Sequence, residues 1–177
     1  MTEKLMIEQK DDLLLQSSIM YALLAELHND RFVTSDYFEK MNFSEPWFKT
    51  RLQKNGVGNK GFVMIALYSL LVLPKEVIPN TDPTEYENIR EFVKEHARNI
   101  TSTYKSDIPN VDFIRHIRNA VAHANVALGP NDVIIFSDKN PRNSIEEFKC
   151  ELPIDKLIDL LPKLQSIIFK YINSKYT

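Results

Sequence analysis

The chain has 177 residues, 44% of them hydrophobic and 26% charged, with a formal net charge of −2. That length supports one domain with a single sizeable core, and near-neutrality excludes a polyelectrolyte that meets nucleic acid over its whole surface. Four glycines, three of them between Gly56 and Gly61, argue against turn-dense all-β and collagen-like chains, and one cysteine, Cys150, excludes an intrachain disulfide.

The start, MTEKLMIEQKDD, has no apolar run of the signal-peptide kind. Leu13, Leu14, Ile19, Met20, Leu23, Leu24 and Leu27 then recur at mostly three- and four-residue spacing, which predicts an amphipathic helix ending near Asn29. From Ser35 to about Gln53 the pattern predicts shorter helical pieces, interrupted near Pro46. Phe62 to Leu73 is apolar nearly all round, the signature of a core helix, and is shorter than the roughly 20 residues that cross a bilayer. With the lone cysteine, this predicts a soluble cytoplasmic protein with no membrane partner.

Thr81-Asp82-Pro83 is a helix-start signal, and the helix after it carries Ile89, Phe92, Val93 and Ala97 on one side. A further helix is predicted from Pro109 to about residue 126, through Phe113, Ile114, Ile117, Ala120 and Val121, with Gly129-Pro130 beyond it. The period then changes. Val133 to Phe136 is β-prone, Glu147 to Leu152 alternates, and a turn-rich stretch separates them, so one hairpin is predicted. A last helix from Pro153 buries Leu157, Ile158, Leu161, Leu164, Ile168 and Tyr171. With no repeat and no long linker, residues 1–177 read as a single domain: a helical bundle with one short β-hairpin before the C-terminal helix.

Gly56-Val57-Gly58-Asn59-Lys60-Gly61 matches G-x-G-x-x-G literally, but the dinucleotide fingerprint needs a strand to deliver the loop, and a helical segment precedes this one. A helix–helix turn is the better reading. Around it, from Pro46 to Lys75, stand five basic residues and no acid, leaving −7 for the rest of a chain that totals −2. Such a stretch is either a solvated face or a phosphate-facing patch, with Lys54 and Lys60 the candidate RNA contacts. The four histidines include no H-x-x-x-H pair and no second cysteine completes a zinc set, so no metal ligands and no cofactor are assigned. Cys150, on a predicted strand, reads as a small core residue.

Residues 113–125 carry more chemistry. Asp112, His116, Asn119 and His123 fall within a narrow polar stripe at about 100° per residue, opposite an Ala/Ile/Val stripe. Histidine moves protons near neutrality, arginine holds phosphate through a planar fork, and an amide orients either. Arg118 and His123, five residues apart, lie about 140° apart on an ideal helix, which favours a site completed by a second copy.

Arg118-Asn119-Ala120-Val121-Ala122-His123 resembles the R-x4–6-H motif of the HEPN superfamily, with the polar residue that often follows its arginine. The layout around it, a late helix followed by a hairpin and a terminal helix, is similar to stand-alone bacterial HEPN proteins. The resemblance implies a homodimeric, metal-independent endoribonuclease, often of a toxin–antitoxin or phage-defence system, with a regulatory or antitoxin protein as a further partner. Carried over, Arg118 stabilises charge on the scissile phosphate, His123 is acid or base, and Asn119 positions one of them or the substrate. The RNA's 2′-hydroxyl attacks, leaving a 2′,3′-cyclic phosphate and a 5′-hydroxyl. Arg115 and His116 are added as RNA contacts. The alternative is a HEPN module without catalysis that binds nucleotide, RNA or a protein.

Overall fold

A computed structural model describes residues 7–78, 83–143 and 145–176. Its first helix, α1 (Gln9–Asn29), turns Leu14, Ser18 and Tyr21 inward, together with Asp11. Leu13, Ile19, Met20 and Leu23 stand about half exposed, against the expectation that they form the buried face. The segment is apolar on several sides, and packing against the C-terminal helix selects the side of Leu14 and Tyr21.

A short turn of 3-10 helix, Phe32–Thr34, leads to α2 (Asp36–Lys40), where Ser35 Oγ accepts a hydrogen bond from the Phe38 N–H at 3.1 Å. Helix α3 (Pro46–Asn55) begins on its proline and stops at Gly56, whose φ of +72° suits glycine. Asn59 caps α4 (Lys60–Leu67), its Oδ1 accepting from the N–H groups of Gly61 and Phe62. A Cβ on Gly58 would lie 2.6 Å from the His28 ring, so glycine lets this turn pass against the end of α1. The glycine run is therefore the helix–helix turn expected.

Helix α4 continues through a π-helical stretch, Tyr68–Val72, into α5 (Leu73–Val77). This rod buries Phe62, Val63, Ala66, Leu67, Leu70 and Leu71, while Ile65 and Tyr68 remain exposed. The start signal at Thr81-Asp82 lies outside the described residues; Pro83 opens a 3-10 turn, and α6 (Glu87–His96) follows with Ile89 and Val93 inward.

Four strands form one antiparallel sheet in the order β1-β4-β3-β2: β1 (Arg98–Ser102), β2 (Val126–Leu128), β3 (Val133–Lys139) and β4 (Glu147–Pro153). The β3–β4 hairpin is the one expected from the pattern, and β1 and β2 flank it. Arg98–Ser102 carries only one large apolar residue, Ile100, because it is an exposed edge. On β3 and β4, Ile134, Phe136 and Asp138 face the core beside their partners Leu152, Cys150 and Phe148. Burial pushes the Cys150 thiol up to about 12, in keeping with a core role.

Helix α7 (Phe113–Ala122) is shorter at both ends than the predicted 109–126. Asp112 starts it, its carboxylate accepting from the Arg115 N–H at 3.3 Å. Two bonds stop it, from the Ala124 N–H to Val121 O and from the Asn125 N–H to Ala120 O, and residues 126–128 leave as β2. Helix α8 (Ile154–Tyr176) closes the chain with Pro162 inside it. One buried cluster runs from Leu14 through α4, α7 and the sheet to Ile172, so the architecture is mainly α with a small sheet laid on α7. Among the described residues, no single helix is long and apolar enough to cross a membrane.

Candidate functional site

The polar stripe of α7 exists, but its middle turns in against the sheet: His116 is buried, Asn119 half-buried and His123 exposed. His116 is fully buried. Its Nδ1 lies 2.7 Å from Asp138 Oδ2, and its Nε2 lies 2.9 Å from Asp107 Oδ2. Carboxylates only accept, so each bond forms from a ring nitrogen that carries hydrogen, and Arg115 Nη2 also approaches Nε2, at 3.0 Å. The ring stacks on Phe148 with centroids 4.3 Å apart and 9° between planes, and Tyr104 covers it at 4.6 Å.

The expectation that His116 touches RNA is thereby corrected: the residue has no surface to offer, because it borders the inward arc of the helix beside Ala120, where Phe148 and Tyr104 cover its ring. Arg115 is also engaged. Its Nη2 lies 3.0 Å from both Asp107 Oδ1 and Ser106 Oγ, and its guanidinium sits over the Tyr104 ring.

Other groups complete the cluster. Ser102 Oγ donates to Asp107 Oδ2. Burial pushes the Asp107 carboxyl up, but the Ser102 hydroxyl and the charge and hydrogen bond of His116 outweigh it, leaving the group below the ordinary value. Burial and the nearby Asp138 charge push the Tyr104 hydroxyl up to about 12.

From Asp138 the bonds run outward. Asn119 Nδ2 donates to Asp138 Oδ2 at 3.1 Å, and Arg118 Nη2 donates to Asn119 Oδ1 at 3.2 Å. His123 is the C-cap of α7, outside the helix proper, so the ideal-helix angle to Arg118 does not apply to it. Its side chain is exposed, and its ring makes no hydrogen bond among the described residues. Ala124 follows with φ +55°, and Asn125 O accepts from the Ser137 N–H, tying this segment to β3 beside Asp138.

The structure thus joins Arg118 and Asn119 to His116 and Arg115, while His123 stands exposed at the C-cap of the same helix. Lys54 and Lys60 are elsewhere. Lys54 is exposed on the last turn of α3, and Lys60 Nζ lies 3.0 Å from Asp132, at the opposite end of β3. Val133 and Asp138 are separated by about 17 Å of strand. The turn holding Lys60 lines a cavity of about 860 Å³ with Asn131, Asp132 and the start of α8. Among the described residues, no group of three or more His, Cys, Asp or Glu side chains is arranged to hold a metal ion.

Asp107 and Asp138 were missed in the sequence. Asp138 had a signal: it continues the Ile134, Phe136 alternation onto the core face. Asp107, at the end of a 3-10 turn (Lys105–Asp107), had none.

Fold and site together define a helical domain that presents an Arg-Asn…His motif where one helix ends against an antiparallel sheet. The model of the HEPN pEK499 p136 family matches residues 6–175, and the chain belongs to that family within the HEPN superfamily. No curated protein and no solved structure matches it significantly.

Proposed function

We propose that the protein is a metal-independent endoribonuclease acting through Arg118, Asn119 and His123. The observation that carries this reading is the contrast within one motif: Arg118 is tied through Asn119 to a buried carboxylate, while the His123 imidazole is exposed and unbonded one step past the helix end. Family membership supports it, since HEPN domains commonly serve RNA-directed and toxin–antitoxin functions.

In this reading, Arg118 holds the scissile phosphate and stabilises the negative charge that builds on its oxygens. The RNA 2′-oxygen bonds to phosphorus as its proton passes to an imidazole. The bond to the 5′-oxygen breaks, and a second imidazole protonates that leaving group. Two copies of the chain supply the two imidazoles, and the exposed small residues Ala122 and Ala124 beside His123 leave room for a second backbone. Lys54 and Lys60 extend phosphate contact away from the cut. Regulation by an antitoxin and a cytoplasmic site of action complete the proposal.

The test is incubation of the purified chain with assorted RNAs in EDTA. Cleavage leaving 2′,3′-cyclic phosphate ends is expected, and Arg118→Ala and His123→Ala should each lower the rate about 1,000-fold without moving the melting temperature. RNA that stays intact while the chain retains it on a filter would establish the binding module instead.

A further inference from the structure

A carboxylate at the third core-facing position of β3 is an expensive choice. Its neighbours on that line are Ile134 and Phe136, and its cross-strand partner is Phe148. A buried ionic set gives little net stability over an apolar filling of the same volume, so stability alone does not account for Asp138. Asp138 Oδ2 accepts from two donors at once, the buried His116 Nδ1 and the half-buried Asn119 Nδ2. The first holds the carboxylate in place, and the second carries its orientation outward.

Chemistry fixes the rest. Because Asp138 only accepts, the Asn119 amide must turn its NH2 inward, which leaves Oδ1 facing the Arg118 guanidinium. A flipped amide would set oxygen against carboxylate and NH2 against guanidinium. Resting on the ribonuclease reading above, we infer that Asp138 and His116 are positioning residues, a buried clamp that sets the Asn119 amide and through it aims Arg118 at the phosphate. Neither touches RNA. Asp107 and Phe148 hold the His116 ring from the other side and from its face, so the clamp is pinned at both ends.

The experiment uses the full chain and a short RNA with one cleavable site. Asp138→Asn should lower kcat ten- to a hundredfold and leave KM within about twofold, since a displaced guanidinium costs the transition state more than it costs binding. Asn119→Ala should do the same, and the double variant should be no slower than the slower single, because both act on one guanidinium. Rate losses that multiply, or an Asp138→Asn variant with wild-type kcat, would overturn the inference.

A second measurement needs no variant and no cleavage. Nitrogen-15 spectra of the wild type should show a sharp, resolved Arg118 Nε–H and Asn119 amide protons protected from solvent exchange. A motionally averaged Arg118 side chain would overturn the clamp whatever the RNA does. If the wild type leaves RNA intact yet shows the protected amide, the ribonuclease reading fails and the clamp is supported.

Discussion

Among the described residues, two clusters hold buried aspartates on different elements of this fold, and they end differently. Asp11, on α1, is 2% exposed and accepts from Tyr171 Oη, Lys175 Nζ and Tyr176 Oη, all on α8. Lys175 also reaches Glu8, and the Glu8 N–H donates to Tyr176 Oη. Every partner lies on α8 or at the start of α1, so that cluster is a clasp. The Asp107–His116–Asp138 cluster has an outlet: its last donors are Asn119 and Arg118, at the motif. The two buried carboxylates therefore differ less in burial than in where their chains of donors stop.

The sharpest break of this comparison uses two histidines seven residues apart. His116→Ala leaves Asp107 and Asp138 buried without their shared partner and should cost about 3–5 kcal/mol, a fall in melting temperature of roughly 6–20 °C. His123→Ala, at an exposed ring, should leave the melting temperature within about 1 °C while abolishing cleavage. Equal melting of the two variants would dissolve the distinction between the buried clamp and the exposed C-cap.

The clasp should behave in the opposite sense. Asp11→Ala should cost about 2 kcal/mol, or roughly 4–8 °C, and leave cleavage at 25 °C unchanged. Burial pushes the Asp11 carboxyl up, but the hydrogen bonds from Lys175, Tyr176 and Tyr171 outweigh it and hold it below its ordinary value of 3.8. A group depressed in the folded state gives stability that is present above the unfolded value and lost as pH falls through the folded one. Wild-type melting temperature should thus drop below about pH 4, and the gap between wild type and Asp11→Asn should narrow there. Asp107 is depressed in the same direction, so some acid sensitivity should persist in Asp11→Asn.

The clasp and the clamp also differ in how far the sequence announces them. The helices α1 and α8, the apolar rod at 62–73 and the β3–β4 hairpin follow from periodicity, and the Arg118-Asn119…His123 motif is a local string. Contacts over long separations leave weaker traces. Asp11 meets Lys175 across 164 positions, and His116 meets Asp138 across 22. Asp138 stood in a turn-like Asp-Lys-Asn-Pro run that masked its place in the alternation of β3. Strand β2 was hidden because Val126 and Leu128 extend the apolar composition of α7, and only the turn at Ala124 separates them. His116 was placed on the right stripe, but periodicity cannot say that the middle of the stripe turns in against the sheet.

That turn supplies the smallest of the predicted effects, at the motif end of the comparison. Ala124 occupies the left-handed position that follows the C-cap, where glycine is the usual residue, and its φ is +55°. Asn99, Asn131 and Asp132 also have positive φ, but their short polar side chains tolerate it better than a methyl does. Relief of about 1 kcal/mol in Ala124→Gly is partly offset by the freedom glycine adds to the unfolded chain. The net should be about 0.5 kcal/mol of added stability, a rise of roughly 1–2 °C by calorimetry. Cleavage should change less than twofold, because the two backbone bonds that stop α7 and present His123 do not involve the methyl group. Ala124→Val, a branched residue forced into the same backbone region, should lose stability and cleavage together. If Ala124→Gly instead slows cleavage tenfold while it stabilises the fold, the strained turn is itself part of how His123 is held.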